Sequence, residues 1–321
     1  MKRIVMTGPT GTIGMAIMKL CITEGIEVFA ICRPDSKRKH RIPNRDLVHR
    51  IECDLNSLQN LAENDFPICD VFYHLGWGAT VGEGRNDLDA QLGNIQYTLE
   101  AVRLAKRIGC HTFIGAGSQA EYGRPGTQIK LDAQAMTFPE NGYGMAKLCA
   151  GQMSRIACEQ NGLKHIWIRV FSVYGPYDGE KSMIISTIRK LLNNEKAPLT
   201  AGEQEWDYLY SEDAARAFLL AGKKGIDHKV YCLGSGQTKK LREYTEMMRN
   251  WIDGNAALGY GEIPYSDKQI MYLCANIDDL KKDVGFIPKT DFSDGIKQTI
   301  KWVKQTTRNE NDGSINHREG Y

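Results

Sequence analysis

The segment Arg3-Ile-Val-Met-Thr-Gly-Pro-Thr-Gly-Thr-Ile-Gly14 carries the strongest fold signal in this chain. A short apolar run leads directly into glycines at positions 8, 11 and 14, and a helical pattern of apolar residues follows. Glycines permit a tight turn and a close approach of the backbone to a bound group. A pyrophosphate is stabilised at the N-terminus of the helix that such a turn opens. The segment therefore predicts a dinucleotide-binding βαβ unit, with a ligand-free packing turn as the alternative.

The first half of the chain alternates between strand-like runs and helical patterns. The strand-like runs are 3–7, 27–32, 48–53, 70–75, 111–116 and 164–171, and the clearest helical patterns are 12–24, 87–108 and 142–161. Regular alternation of this kind is typical of an α/β protein with a Rossmann-type, doubly wound parallel sheet. Ligands of such sheets bind beyond the carboxyl ends of the strands. We expect Gly8, His74, Ser118 and Ser172 to lie at that edge.

Beyond about residue 174 the alternation becomes irregular, which indicates a smaller C-terminal substrate-binding lobe. The patterns there are helical at 181–194, 211–223 and 239–253 and strand-like at 229–233. We assign residues 1–173, together with about 205–235, to the Rossmann domain, and about 174–204 and 236–305 to the lobe. The segment 306–321 is polar and almost free of apolar side chains, so we expect a mobile tail.

Bulk composition excludes several classes of protein. The chain has 321 residues, and its net charge of +2 gives no reason to expect nucleic acid or a membrane surface as a partner. No apolar run approaches the roughly 20 residues of a membrane span. The strand-like run at 3–7 leaves no room for a signal peptide. The nine cysteines form no Cys-x-x-Cys pair and the histidines no His-x-x-x-His pair. We expect reduced thiols, a cytoplasmic location and no metal.

The residues after the run 27–32 indicate which dinucleotide binds. No acid ends that run to hold a ribose 2′-hydroxyl; instead Arg33 comes next, and Lys37 and Arg38 follow. A guanidinium suits a 2′-phosphate, so the sequence favours NADP over NAD. Asp35 is evidence against this choice, and a solvated basic loop is the alternative to a phosphate site.

Tyr143 and Lys147 stand four residues apart in the predicted helix 142–161, which places both side chains on one helical face. A free phenol has a pKa of about 10, and a nearby ammonium lowers that pKa toward the range useful for proton transfer. Ser118 follows the run 111–116, and its hydroxyl can donate to a substrate carbonyl beside Tyr143. Together these residues predict a proton-transfer triad. Taken singly, each is an ordinary turn or surface residue.

These motifs resemble those of the extended short-chain dehydrogenase/reductase family, and within it the sugar-nucleotide epimerases, dehydratases and 4-ketoreductases. The resemblance runs from Met1 to about Lys304 and includes the segments 169–176 and 206–213. It implies that Tyr143 is the acid and base, that Ser118 polarises the carbonyl, and that Lys147 also binds the nicotinamide ribose. The cofactor contacts expected besides these are Gly8, Thr10, Gly11, Thr12, Ile13, Gly14, Asp54, Leu55, Leu75, Gly76, Asn94 and Val173, with capping of the next turn as the alternative for Asp54.

Departures from the family pattern reduce the number of reactions that the chain is expected to catalyse. Sugar 4,6-dehydratases carry an Asp-Glu pair directly after the residue that matches Ser118, and this chain has Gln119 and Ala120 there. Neither side chain is an acid or a base, so we do not expect a 4,6-dehydratase. Glu121 comes one place later, and continued strand alternation would turn it away from the face of Ser118.

The substrate side departs from the pattern as well. Ser172 stands where an Asn usually helps hold the substrate, and Trp206 and Ser266 stand where two Arg commonly clamp the diphosphate. The cations able to compensate are Arg124, Lys181, Arg189, Lys190 and Lys239, although solvated surface charges are the simpler interpretation of each.

The run 70–75 is followed by residues that we expect near the nicotinamide. Trp77 is a candidate for the sugar pocket, with a core or lid position as the alternative. We expect His74 to make a structural hydrogen bond. The substrate contacts that we predict are Trp77, Thr80, Gln119 and Ser172.

The sequence thus predicts NADPH-dependent reduction of a 4-keto-6-deoxy sugar nucleotide at C4, with Tyr143 protonating the developing alkoxide. The alternative is an NAD-dependent C4 epimerase, which uses the same triad to oxidise and then re-reduce the sugar. A catalytically idle dinucleotide-binding regulator is a further alternative, which the intact triad disfavours. By analogy with the family, we expect a homodimer formed through helices 87–108 and 142–161.

Overall fold

A seven-stranded, fully parallel sheet forms the centre of the computed structural model, which describes residues 1–126 and 128–311. In spatial order its strands are β11 (Lys229–Leu233), β6 (Lys164–Val170), β5 (Thr112–Ser118), β4 (Val71–His74), β1 (Arg3–Thr7), β2 (Glu27–Cys32) and β3 (Val48–Glu52). Thr7 pairs with His74 and Ser118 pairs with Val170, so the strand ends named above share one edge. The predicted doubly wound α/β fold is confirmed.

Helices cover both faces of the sheet because successive strand residues point to opposite sides. On one face, α1 (Thr12–Thr23), α5 (Ser211–Lys224) and α7 (Asp278–Val284) pack over strand residues such as Ile4 and Met6. On the other face, α2 (Leu88–Arg107) and α3 (Gly142–Gln160) pack over residues such as Val5 and Phe72. Fully buried strands of this kind explain the continuous apolar runs in the sequence.

The C-terminal lobe has its own core, built around aromatic rings. Its helices are α4 (Met183–Leu192), α6 (Leu241–Ile252) and α8 (Phe292–Asn311). Tyr174 and Tyr244 contact Phe292, with ring centroids 4.9 and 4.4 Å from it. In the described part of the chain, three small sheets lie apart from the seven-stranded sheet. They pair β7 (Ser172–Tyr174) with β10 (Tyr208–Tyr210), β9 (Glu205–Trp206) with β12 (Lys239–Lys240) and β14 (Tyr272–Leu273), and β8 (Ala197–Pro198) with β13 (Leu258–Gly259). Strands of two or three residues carry no periodicity, so the sequence did not indicate them.

The segment 306–321, expected to be a mobile tail, begins as helix instead. α8 continues through Asn311, and Thr306 Oγ1 donates to the Trp302 carbonyl at 3.1 Å. Apolar residues anchor the preceding turns in the lobe core, including Ile296, Ile300 and Val303. Side chains such as Lys, Gln and Arg favour helix in the turns that follow. Residues 312–321 lie outside the described part of the chain.

Candidate active site

The glycine-rich turn after β1 forms a cradle in which a side chain at Gly8 or Gly14 would clash with the backbone. Gly8 has a φ of +69°, and a Cβ on it would lie 2.7 Å from the Gly76 nitrogen. A Cβ on Gly14 would lie 2.4 Å from the Gly8 carbonyl oxygen. Gly11 precedes α1 without a side-chain cap, and the first turn of the helix contains no acid. The N–H groups and positive end of the α1 dipole are therefore suited to a pyrophosphate, so the cradle fits a dinucleotide.

The loop after β4 lies directly against this cradle. Thr7 Oγ1 accepts from Gly76 N at 3.0 Å and is also 3.0 Å from His74 Nδ1. The other ring nitrogen of His74 is 3.2 Å from Thr98 Oγ1. Burial lowers the pKa of His74 to about 3, so the ring is neutral and structural, as expected. Leu55 packs against the same loop, since its methyl groups lie 3.2 Å from a Cβ built on Gly76.

Asn94, which the resemblance places at the cofactor, uses its amide to brace the same loop. Its Oδ1 accepts from Gly78 N at 2.9 Å and its Nδ2 donates to the Gly78 carbonyl at 3.1 Å. Gln91, one turn earlier on α2, accepts from Trp77 Nε1 at 3.0 Å and donates to the Ala79 carbonyl at 2.9 Å. Gln91 was not predicted from the sequence, although its i,i+3 spacing from Asn94 puts both on one face.

The structure brings Ser118, Tyr143 and Lys147 together. Asn141 caps α3 by accepting from Gly144 N at 2.8 Å, which places Tyr143 in the first turn of the helix. Burial raises the pKa of the Tyr143 phenol, and a hydrogen bond with the Ser118 hydroxyl opposes this shift. The Lys147 ammonium donates to the Ala116 carbonyl at 2.7 Å and is almost fully buried.

Trp77 packs against this triad. The Lys147 Nζ atom lies 3.6 Å from the centre of the Trp77 ring, a cation–π arrangement. The Trp77 and Tyr143 rings meet edge to face, with their centroids 6.2 Å apart. Trp77 therefore contacts the two residues that the sequence marked for proton transfer, rather than the apolar core.

The electrostatics of Tyr143 differ from the expectation that Lys147 lowers its pKa. Burial raises the pKa of Tyr143, while the Ser118 hydrogen bond and the Arg85 guanidinium, 4.5 Å from the ring centre, oppose this. Burial also lowers the pKa of Lys147 to about 7, against the opposite pull of Glu121. Lys147 is 5.9 Å from the Tyr143 ring centre and shares its ammonium with Ala116 and Trp77. The missed residue Arg85 is the closer cation.

The position of Glu121 also differs from the sequence-based expectation. β5 ends at Ser118 and residues 119–122 form a 3-10 turn, so the strand alternation that would turn Glu121 away does not continue. Its fully buried carboxylate accepts from Ser118 N at 2.8 Å and from Trp167 Nε1 at 3.0 Å. Its other oxygen accepts from Arg169 Nε at 2.6 Å. Glu121 therefore fixes the backbone of Ser118.

Two departures from the family pattern contact each other on the substrate side. Trp206 Nε1, on β9, donates to Ser172 Oγ, on β7, at 2.7 Å. Next to them a cavity of about 240 Å³ is lined by Phe171, Ser172, Val173, Tyr174, Asp178, Ser182, Met183, Ile184 and Tyr208. Gln119 follows Ser118 at the same sheet edge, and its Oε1 is buried without a hydrogen-bond partner among the described residues. Thr80 and Ser266 are exposed.

The basic loop after β2 is open to solvent. The Arg33, Lys37 and Arg38 side chains are exposed, and Arg33 Nε is 3.9 Å from an Asp35 carboxylate oxygen. Asp54 accepts from Asn56 N at 3.4 Å, which is the capping alternative for this residue.

The cations named as substitutes for the diphosphate clamp do not line the cavity in the described part of the chain. Arg124 pairs with Glu140 at 2.7 Å, and Lys190 is 3.7 Å from Glu195. Arg189 is 3.7 Å from Glu180, and Lys181 and Lys239 are exposed.

Within residues 1–126 and 128–311, no three His, Cys, Asp or Glu side chains gather as a metal site. No helix in that range is long and apolar enough to cross a bilayer.

Known proteins resemble this chain over most of its length. Residues 4–234 match the NAD dependent epimerase/dehydratase family. A UDP-glucose 4-epimerase of Azospirillum brasilense is 24% identical, over 94% of this chain and 92% of that protein. Among solved structures, a UDP-N-acetylglucosamine 4-epimerase of Methanobrevibacter ruminantium, in complex with UDP-N-acetylmuramic acid, superposes with a TM-score of 0.86. That pair is 24% identical, over 95% of this chain and 99% of the other. A UDP-glucuronic acid 4-epimerase of Bacillus cereus in complex with NAD gives 0.81 at 20% identity, over 95% and 99%. The chain belongs to the NAD dependent epimerase/dehydratase family, within the extended short-chain dehydrogenases/reductases.

Proposed function

We propose that this protein is a sugar-nucleotide C4 epimerase that works with NAD. The observation that carries the proposal is the meeting of Ser118, Tyr143 and Lys147 beside the glycine cradle at one sheet edge. The relatives named above include a UDP-glucose 4-epimerase and a UDP-N-acetylglucosamine 4-epimerase, and the family is NAD dependent. These likenesses support the epimerase over the reductase that the sequence alone favoured.

Each residue of the triad has a defined task in this proposal. Gly8, Gly11 and Gly14 hold the pyrophosphate of the dinucleotide, and Lys147 holds its nicotinamide ribose. When bound, NAD supplies the acceptor and later the donor of hydride at C4. Tyr143 takes the proton of the C4 hydroxyl and later returns it, while Ser118 donates a hydrogen bond to the same oxygen.

The environment of Tyr143 suits a residue that must act in both directions. Burial raises the pKa of the phenol, and the Ser118 hydrogen bond and Arg85 lower it. The raised pKa keeps the phenol protonated in the dinucleotide-free protein, ready to act as an acid. Ser118 and Arg85 are the residues that stabilise the phenolate, which an epimerase needs when Tyr143 acts as a base.

A specific observation favours a second candidate, an NADPH-dependent reductase of a 4-keto-6-deoxy sugar nucleotide. Arg33 directly follows β2, its side chain is 60% exposed, and its 3.9 Å separation from Asp35 leaves the guanidinium free to meet a phosphate. A guanidinium at this position suits the 2′-phosphate of NADP.

Turnover assays separate the two reactions. For the epimerase we expect C4-epimerised product from UDP-glucose or UDP-N-acetylglucosamine without added dinucleotide, followed by NMR. For the reductase we expect NADPH consumption with a 4-keto-6-deoxy sugar nucleotide.

In either case Tyr143→Phe should lower turnover at least about 100-fold while cofactor affinity persists, because the general acid and base is lost. Near-normal turnover of that variant would exclude the proposed chemistry.

We also propose a homodimer in a reducing compartment. Leu88 and Leu92 on α2 and Met145, Met153 and Ile156 on α3 are exposed apolar residues on two helices that pack side by side. A second copy of the same helices would cover this surface. All nine cysteines are unpaired, which supports the cytoplasmic location expected from the sequence.

A further inference from the structure

The short 3-10 helix Gly82–Asn86 brings a cation to Tyr143 from outside the triad. The guanidinium carbon of Arg85 lies 4.5 Å from the centre of the Tyr143 ring. The Arg85 side chain is half-buried, and no carboxylate of the described residues forms an ion pair with it. A cation within about 6 Å of an aromatic ring centre is attracted to the ring. The attraction increases when the phenol loses its proton, so Arg85 is placed to stabilise the phenolate.

Hydrogen bonds on either side of Arg85 fix its backbone. Asn86 Oδ1 accepts from the backbone N–H of Gly142, the first residue of α3, at 3.0 Å. Gln91 Nε2, on α2, donates to the Gly84 carbonyl at 3.0 Å. A Cβ on Gly142 would lie 3.0 Å from the Arg85 carbonyl oxygen, so this glycine lets the segment lie close against α3. The segment that carries the guanidinium is thus tied to the helix that carries the proton-transfer tyrosine.

Lys147 is less well placed to stabilise a phenolate. Its Nζ atom lies 5.9 Å from the Tyr143 ring centre. The same ammonium donates to the Ala116 carbonyl at 2.7 Å and lies 3.6 Å from the Trp77 ring centre. Burial lowers the pKa of Lys147 to about 7, whereas a guanidinium keeps its charge throughout the pH range in which proteins are folded. Of the two cations, Arg85 is therefore both closer to the Tyr143 ring and permanently charged.

Two other groups act on the Tyr143 phenol. The Ser118 hydroxyl hydrogen-bonds to it and opposes the rise in pKa that burial causes. The Glu121 carboxylate adds to that rise, but it pairs with Arg169 at 2.6 Å, which offsets much of its negative charge. Among the described residues, Arg85 is the full positive charge that acts on this pKa.

We propose that Arg85, rather than Lys147, supplies the positive charge that stabilises the Tyr143 phenolate. Arg85 is then a positioning residue that acts through Tyr143, and Lys147 is left to hold the dinucleotide. The inference reverses the expectation from the sequence, which gave this task to the ammonium on the same helix. It rests on the proposed function, because an epimerase transfers the proton of the C4 hydroxyl to the phenolate as hydride passes from C4 to NAD.

The pH dependence of kcat/KM tests this inference, because its acidic limb reports the ionisation of the base before substrate binds. Epimerisation of UDP-glucose or UDP-N-acetylglucosamine by NAD-loaded protein is followed between pH 6 and 10. Arg85→Gln should move the midpoint of that limb up by at least about 1 pH unit, the low end for losing an opposite charge at this distance. Arg85→Lys keeps the charge and should restore most of the wild-type profile. The control Arg45→Gln removes an exposed cation just before β3 and should leave the profile unchanged.

Ultraviolet titration of the phenolate measures the same ionisation without turnover. Each protein is titrated at saturating NAD, and the signal of Tyr143 is obtained by subtracting the same protein with Tyr143→Phe. Arg85→Gln should delay the appearance of this signal by at least about 1 pH unit, and Lys147→Met should delay it less. Arg85→Met provides the same test if the glutamine variant is unstable.

A Tyr143 titration in Arg85→Gln that matches the wild type would overturn the inference. A larger shift in Lys147→Met than in Arg85→Gln would also overturn it, because Lys147 would then be the stabilising charge. A wild type that turns over neither UDP-sugar would contradict the proposed function. The ultraviolet titration would still decide the role of Arg85 in that case, since it needs no substrate.

Discussion

Lys147 illustrates how a single buried charge can be adjusted to its task. Its ammonium is removed from water, yet it donates to the Ala116 carbonyl at 2.7 Å and lies 3.6 Å from the Trp77 ring centre. Burial lowers its pKa to about 7 because neither partner carries a full negative charge. In the dinucleotide-free protein Lys147 is therefore partly deprotonated near neutral pH.

This pKa predicts how the stability of the dinucleotide-free protein depends on pH. The folded-state pKa is about 7 and lies below the value of 10.5 for an unperturbed lysine, so between these values the unfolded chain binds more protons. Lys147 should therefore make stability rise with pH above about 7, by at most about 1.4 kcal/mol per pH unit. Urea unfolding between pH 6 and 9 measures this slope. Lys147→Met should flatten it, and an unchanged slope would show that Lys147 is not the group responsible.

The sequence predicted Ser118, Tyr143 and Lys147 as neighbours because Tyr143 and Lys147 lie on one helix and Ser118 ends a strand. It could not identify Arg85, Gln91 or Glu121 as neighbours of the site. Arg85 reaches Tyr143 from a short 3-10 helix, Gly82–Asn86, whose glycine-rich sequence has no helical pattern of apolar residues. The position of the Glu121 side chain depends on the chain leaving strand geometry directly after Ser118. Residues 112–118 contain no signal that predicts this turn.

Among the secondary structure elements, the 3-10 turn 119–122 has the greatest effect on the site. It directs the Glu121 carboxylate back to the end of β5, where it holds Ser118 N at 2.8 Å and Arg169 Nε at 2.6 Å. The Glu121 and Arg169 side chains are 0% and 4% exposed. Such a pair is costly to break singly, because the remaining charge stays buried without compensation.

We therefore expect Glu121→Gln to destabilise the protein by about 3 kcal/mol, the low end for a broken buried pair. It should also lower turnover, since the position of the Ser118 hydroxyl depends on this backbone hydrogen bond. Urea unfolding and steady-state kinetics measure the two effects. Glu212→Gln is the matched control: it breaks the surface pair with Lys19, whose members are 42% and 52% exposed, and should cost less than about 1 kcal/mol. Equal losses in both variants would contradict the role assigned to Glu121.

At the level of the whole molecule, the sequence predicted the central sheet and its covering helices more completely than the strands and helices of the C-terminal lobe. Regular alternation of strand-like and helical runs specified the parallel sheet, because each buried strand reads as a continuous apolar run. The short strand pairs of the three small sheets could not be predicted from two or three residues each. The Trp206–Ser172 hydrogen bond joins two such short strands, β9 and β7, and could not be predicted for the same reason.

The exposed apolar residues on α2 and α3 make a prediction about assembly. Light scattering should give twice the monomer mass of 36.1 kDa for the wild type. The double variant Leu92→Glu, Met153→Glu should shift the protein to monomer, because two charges per copy would be buried at the shared surface. Ile68→Glu changes an exposed apolar residue off these two helices and should leave the dimer intact. A wild-type monomer at micromolar concentration would refute the assembly.

The measurement that bears most directly on the proposed reaction is the identity of the dinucleotide that the purified protein carries. Freshly prepared protein is denatured, and the released small molecules are identified and quantified by mass spectrometry. An epimerase that recycles its cofactor within each turnover should release about one NAD per chain and no NADP. Protein that releases no dinucleotide, and that binds added NADPH more tightly than NADH, would contradict the epimerase and favour the reductase.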